Sequence, residues 1–213
     1  MPQPVHHSKA IDFDFSPERI LERPNLAAHI ATISAFWNDI EARIAALLAA
    51  LLGDEAKTGI SIFFAITNDG AKRAAIDAIC ALKLSSDEKA ELQRILKTVG
   101  ERYADRNYAV HGGWGISPQY PDALLWNDVR DTILLFVELA RLPGPENKDA
   151  RKALCLQFQK TMRVWKDHDF VEVEKRMRTA YKELYDFSRP IIDQHLAPIG
   201  MRSDSPINRL PRW

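Results

Sequence analysis

The segment from Arg106 to His111 carries the side chains of this sequence that are best suited to chemistry. An unperturbed histidine titrates at about pH 6.5, so His111 could act as a base or as an acid near neutral pH. Arginine stays charged and its planar fork matches phosphate oxygens, so Arg106 could hold a developing negative charge. Asn107 could orient His111 or a bound phosphate. A helix turn that carries these three residue types together is therefore the best candidate for a functional site in this sequence.

The spacing of Arg106 and His111 decides whether they can act together. Five residues of a regular α-helix turn through about 140°, so the two side chains are not expected to share a helix face. They should converge only if the last helical turn loosens or if a second subunit brings them together. The glycines at 112 and 113 favour loosening, because glycine lets a backbone leave the helix and approach another chain closely. The structural alternative is that Arg106 pairs with Glu101 or Asp105, and that His111 caps helix carbonyls.

Other motifs of catalysis and phosphate binding are missing from the sequence. It has no glycine-rich phosphate loop, no Cys-x-x-Cys, no His-Glu-x-x-His and no Gly-x-Ser-x-Gly. His168, between Asp167 and Asp169, could bind a metal ion, but acidic residues at a helix start are more typical of caps. Cys80 and Cys155 lie in apolar helical stretches and are expected to be small buried hydrophobes. No metal site and no cofactor are predicted.

The helices that must position this segment are visible as apolar periodicity. Residues 26–51 carry apolar side chains at steps of three and four, which predicts one long helix that ends at Gly53. His29 lies in it without a partner at helical spacing. Residues 54–84 are predicted to form two helices, or one helix broken at residues 68–70. A third long helix should begin at the capping box of Ser85 and Glu88 and end at the glycines after His111.

The second half of the chain is predicted to continue in helices. Residues 112–121 are expected to be irregular, and residues 122–142 and 148–160 to be helical, with a loop at 143–147 between them. Residues 161–165 alternate enough to form a short strand, and a last long helix should follow a cap at Asp167 or Asp169. The predicted fold class is therefore all-α, an up-and-down helical bundle with an inserted helical segment. Residues 1–196 are expected to form one domain with the insertion at 122–160, and residues 197–213 a loosely ordered tail.

Composition limits the partners of this chain. Its 29 basic and 29 acidic residues cancel, so it lacks the basic excess with which proteins coat nucleic acid. Any nucleic-acid contact should therefore be confined to one cleft. The longest uncharged apolar run, residues 44–52, is far shorter than the roughly 20 residues of a membrane span, and no signal peptide is recognisable. We expect a cytoplasmic protein without membrane contact.

The motif Arg106-Asn107-x-x-x-His111-Gly112, at the end of a long helix in an all-α chain, resembles the signature of the HEPN superfamily. The resemblance covers roughly half to two-thirds of the chain and leaves the insertion at 122–160 outside it. It implies a metal-independent endoribonuclease, often a toxin or antiviral effector, that acts as a homodimer with both motifs in one cleft. Arg106, His111 and Asn107 would be catalytic, and Arg102 and Tyr108 would bind substrate. RNA would be the substrate, and an antitoxin or regulatory protein a possible partner.

The sequence departs from one toxin branch of that family, in which a tyrosine stands two residues after the histidine. Gly113 occupies that position here, so Tyr108 or Trp114 would have to stack a base instead, and Trp114 is more simply a core residue. Some members of the family are not nucleases. The alternative function is therefore a non-catalytic helical module that binds a nucleotide, nucleic acid or a protein partner.

Overall fold

The computed structural model describes residues 2–5, 10–53 and 56–196. The loosely ordered tail predicted for residues 197–213 lies outside the described residues.

The described chain is predominantly α-helical, as the sequence predicts. Two short 3₁₀ helices, Pro17–Glu22 and Pro145–Asn147, accompany the α-helices. The α-helices are α1 (Pro24–Leu52), α2 (Ala56–Ala65), α3 (Asp69–Lys83), α4 (Ser86–His111), α5 (Val129–Ala140), α6 (Lys148–Gln159) and α7 (Asp167–Leu196).

Local sequence signals explain several helix ends. The break predicted at residues 68–70 is confirmed, because Asn68 caps α3 by accepting a hydrogen bond from Ala71 N at 2.9 Å. The capping box before α4 is also confirmed. The Ser85 amide and hydroxyl donate to Glu88 Oε2 at 2.9 and 2.7 Å, and Glu88 N donates back to Ser85 Oγ at 3.3 Å. The helix that carries the candidate site therefore has a fixed start.

A small antiparallel sheet adds to the helices. It consists of β1 (Gln3–Pro4), β2 (Gly112–Gly115), β3 (Ala123–Asp128) and β4 (Arg163–Lys166) in the order β1-β4-β3-β2. In the register of β2 and β3, Gly112 lies opposite Asp128 and Trp114 opposite Trp126. The strand predicted at 161–165 is confirmed as β4, although it begins two residues later than predicted.

Two predictions for the segment after α4 are wrong. Residues 112–121 are not irregular throughout, because β2 begins directly at Gly112. Residues 122–142 are not one helix, because Ala123–Asp128 forms β3 and α5 begins only at Val129. Leu124 and Leu125 point to opposite sides of the strand and are both fully buried, so this part of the sequence does not alternate between apolar and polar residues. Its apolar run fits a strand or a helix equally well. The change occurs at Asp128, whose carboxylate accepts a hydrogen bond from Arg130 N at 2.9 Å and caps α5.

By their internal contacts the described residues divide into two compact units. The first comprises residues up to Ala35 together with Tyr103–Arg176, and the second comprises Phe36–Arg102 and the residues from Met177 onward. In the first unit, the sheet packs against α5 and α6 through a core of buried residues, namely Val5, Ile11, Ala123, Leu125, Leu135, Phe158, Met162 and Val164. The candidate site at the end of α4 belongs to this unit.

The second unit has its own packing. Ala49 and Ala50 of α1 form an apolar cluster with Ile192 of α7. Beside it, the guanidinium of Arg43 lies 4.4 Å from the ring centre of Tyr185, and its Nε donates to Ser188 Oγ at 2.7 Å. A buried arginine held by a hydroxyl and an aromatic ring is a structural feature rather than an open site.

Candidate functional site

Arg106 and His111 meet within a single chain. Arg106 Nη1 lies 2.6 Å from His111 Nε2 and donates to Asn107 Oδ1 at 3.0 Å. The segment stays helical up to His111, so the expectation that convergence needs a loosened turn or a second subunit is wrong. The rotation of about 140° applies to the Cβ atoms of the two residues. The arginine side chain is long enough to bring its guanidinium to His111 despite this separation. All three predicted catalytic residues are thus brought together.

Donor chemistry assigns the roles of the two groups in this contact. An arginine can only donate, so His111 Nε2 is the acceptor. His111 is exposed, while Arg106 and Asn107 are half-buried. The arrangement therefore presents an imidazole beside a permanent positive charge at the surface. An anion could reach both groups.

Two tryptophans hold the last turn of α4. The final carbonyls of an α-helix have no partner within the helix. Here Trp126 Nε1 donates to the Tyr108 carbonyl at 2.9 Å, and Trp114 Nε1 donates to the Ala109 carbonyl at 3.0 Å. The indoles of Trp114 in β2 and Trp126 in β3 thus cap the helix carbonyls, which is the alternative role that was predicted for His111.

Gly112 is required by a close approach rather than by backbone conformation. In the described chain, positive φ angles occur at Gly53 and Gly144 and not at Gly112. A Cβ at Gly112 would instead lie 1.6 Å from Trp126 Nε1, so the indole ring occupies the space that any side chain would need. The glycine expected to free the backbone therefore serves to admit Trp126.

The nearby aromatic residues divide into packed and open ones. The half-buried Trp114 packs against Trp165 and Phe170, with ring centres 5.5 Å from each, so its ring is already engaged and unsuited to stacking a base. Tyr108 is 44% exposed and makes an edge-to-face contact with Trp126, with ring centres 4.8 Å apart. The ring of Tyr108 is thus held by Trp126 and remains accessible to a ligand.

The charged residues near the motif in sequence pair elsewhere. Asp105 accepts from Arg176 Nη2 at 3.1 Å, whereas Arg106 turns to Asn107 and His111. The alternative pairing of Arg106 with Asp105 or Glu101 is therefore not adopted. Arg102, predicted to bind substrate, falls in the second unit, where its Nη2 lies 3.3 Å from Glu101 Oε2.

A second histidine has partners that the sequence analysis missed. His29 Nδ1 lies 2.7 Å from Glu174 Oε1 and His29 Nε2 lies 3.1 Å from Asp167 Oδ1, while its ring stacks on Phe170. Burial alone lowers the pKa of His29, but the hydrogen bonds to Glu174 and Asp167 outweigh it and raise the pKa above its ordinary value. Both ring nitrogens are engaged, so this group is an ion-pair cluster.

The acidic residues around His168 are also engaged. Asp167 contacts His29, and Asp169 accepts a hydrogen bond from Lys166 N at 3.1 Å. Both acidic residues lie within the first turn of α7, so the helix begins at Asp167 rather than after a cap at Asp167 or Asp169. Within residues 2–5, 10–53 and 56–196, no group of three or more histidine, cysteine, aspartate or glutamate side chains is arranged to hold a metal ion.

No family model, curated protein or solved structure matches this chain. Within the part of the chain that the structure describes, none of the helices combines the length and the apolar character needed to cross a lipid bilayer.

Proposed function

We propose that this protein is a metal-independent endoribonuclease of the HEPN type, acting as a dimer with Arg106 and His111 as its central catalytic residues. The observation that carries the proposal is the 2.6 Å contact between Arg106 Nη1 and His111 Nε2 at an exposed helix end. The resemblance of the motif to the HEPN signature supports it independently of the geometry.

The chemistry needs a base, an acid and a positive charge. His111 Nε2 would take the proton of a ribose 2′-hydroxyl while the 2′-oxygen attacks the neighbouring phosphorus. The bond from phosphorus to the 5′-oxygen then breaks, and that oxygen takes a proton from the protonated His111 of the partner subunit. The products are a 2′,3′-cyclic phosphate and a free 5′-hydroxyl. Arg106 would stabilise the charge on the phosphorane oxygens.

The contact between Arg106 and His111 is compatible with this role because it is exchangeable. A phosphate oxygen is a stronger acceptor for a guanidinium than a neutral imidazole is, since the bond is then assisted by both charges. Substrate would therefore draw Arg106 toward its phosphate and free the lone pair of His111 Nε2. Asn107, which accepts from Arg106 at 3.0 Å, would keep the guanidinium oriented during this exchange.

Product chemistry tests the proposal most directly. The purified protein is incubated with a mixture of RNAs in the presence of a chelator, and the ends of the fragments are identified. We expect cleavage with 2′,3′-cyclic phosphate ends, resistance of 2′-O-methyl RNA, and no cleavage of single-stranded DNA. A requirement for magnesium, or cleavage of DNA, would contradict the mechanism.

A second candidate function is a non-catalytic module that binds a nucleotide or RNA. The same contact favours this function if it persists when ligand is bound. Arg106 then occupies His111 Nε2, the nitrogen that would have to act as the base. RNA binding that depends on Arg106 without any cleavage, and that persists in a His111→Ala variant, would select this function over the nuclease.

A further inference from the structure

The outer face of α5 exposes an unusual amount of apolar surface. Its exposed apolar side chains are between 43% and 63% accessible and comprise Val129, Ile133, Leu134, Phe136 and Val137. We call these five residues, together with the exposed Ala140, the α5 face. By their fractional exposures they present on the order of 500 Å², at the upper end of what one apolar patch on a monomer usually covers.

The opposite side of α5 is already used. Leu135 is buried in the core of the first unit, and Leu139 packs against that core. The helix is thus apolar on two sides, although it also carries the charged residues Arg130, Asp131 and Glu138, and an exposed apolar patch of this size usually marks an interaction surface. The α5 face is therefore expected to be covered by another surface.

The geometry points to a second copy of this chain as the occupant, packed α5 against α5. Val129, Ile133, Phe136 and Ala140 follow one another at steps of four, three and four, which is the spacing of a two-helix seam. Two such faces would together remove about 1,000 Å² from water, which reaches the lower limit for a specific interface. The seam is uncharged, so it can face its own copy without repulsion.

The α5 face begins beside the candidate site. In the sheet, Gly112 lies opposite Asp128. His111, which precedes Gly112, and Val129, which follows Asp128, therefore lie at the same end of that strand pair. If the twofold axis runs along the two helices, both copies of Val129 meet, and both copies of His111 lie on the same side of the dimer. The association is inferred from the surface alone. Only this orientation rests on the proposed function, which needs two histidines.

Light scattering over a range of concentrations tests the surface. We expect the full chain to be a dimer and the F136E variant to be a monomer with an unchanged circular dichroism spectrum. F64E is the matched control, because Phe64 is 57% exposed on α2 of the other unit, close to the 63% of Phe136. The control should stay dimeric. If F136E does not fold, I133E makes the same test.

A monomeric wild-type chain at high micromolar concentration overturns the inference, and so does dissociation by F64E with F136E still dimeric. A wild-type dimer that F136E dissociates, but that cleaves no RNA, leaves the inference standing and counts against the proposed nuclease instead. The two failures are therefore distinguishable.

Disulfide cross-linking tests the orientation. The half-buried Cys155 is first replaced by serine (C155S), and the buried Cys80 is kept. In this background V129C chains should cross-link to one another on mild oxidation. A cross-link that forms only between V129C and A140C chains would show antiparallel helices and would overturn the shared placement of the two histidines.

Discussion

The indole ring of Trp126 lies against the α-carbon of Gly112, with no room for a side chain between them. The same indole donates to the carbonyl of Tyr108 at 2.9 Å, inside the last turn of α4. One tryptophan therefore joins the end of the helix to the strand that follows it. Because His111 lies between Tyr108 and Gly112 in the chain, this contact fixes the position of the candidate catalytic histidine.

The first prediction concerns Gly112. Gly112→Ala should lower the free energy of unfolding by roughly 2 to 4 kcal/mol, because the ring of Trp126 must move and its hydrogen bond is lost. Gly100→Ala is the control, since Gly100 lies inside α4 with nothing near its Cβ position, and it should stabilise by about 0.5 to 1 kcal/mol. Chemical denaturation of both variants measures the difference. Equal stability of the two would mean that the close approach is unimportant.

A double-mutant cycle makes the second prediction. If the cost of Gly112→Ala comes from the indole, it should shrink in a Trp126→Ala background by roughly 1 to 3 kcal/mol, because the clashing ring is absent there. The four unfolding free energies of the cycle give this coupling directly. Additive effects of the two changes would locate the cost of the alanine in the backbone instead.

His111 gives the third prediction, which separates site from scaffold. Its side chain is exposed and contacts Arg106, so His111→Ala should change the free energy of unfolding by less than about 0.5 kcal/mol. The same variant should lose RNA cleavage, and any cellular toxicity, completely. Thermal melts and a cleavage assay on one preparation test both. A loss of several kcal/mol would identify His111 as a structural residue.

His29 gives a prediction about pH. Because its pKa in the folded protein is raised above the ordinary value of 6.5, the protonated ring binds Glu174 and Asp167 best. The stability it contributes is fully present below about pH 6.5 and is lost as the pH rises through the raised pKa. The stability advantage of the wild type over His29→Gln should therefore be larger at pH 6 than at pH 9. Glu174→Gln should flatten this dependence, and an advantage that grows with pH would contradict the assignment.

The helices and their caps could be predicted because their signals are local. The capping box of Ser85 and Glu88 and the break at Asn68 both depend on residues three positions apart. The strands β2 and β3 could not, because Gly112–Gly115 is glycine-rich and residues 123–125 are buried on both faces. Such strands are defined by distant pairing partners rather than by their own alternation.

The candidate site was predictable in its residue types and less so in its geometry. The sequence indicates Arg106, Asn107 and His111 as a group, but helix rotation alone separates them, and the length of the arginine side chain reunites them. The hydrogen bond from Trp126 to the end of α4 was not predicted, because Trp126 lies in a stretch that was predicted to be helical. A buried indole N–H usually has a hydrogen-bond acceptor, and this preference is the signal that could have identified Trp126.

The strand pairing also sets an order of folding. The pair of Gln3 and Val164 closes a loop of roughly 160 residues, whereas the pairing of Gly112 with Asp128 and the cap on Tyr108 need only short chain closures. The surroundings of His111 should therefore assemble early, and β1 should dock last. In pulsed hydrogen exchange during refolding, the Val5 amide, which bonds to the Met162 carbonyl, should gain protection after the amides of β2 and β3. During synthesis, the segment with the candidate motif could thus reach its folded arrangement before β1 has docked.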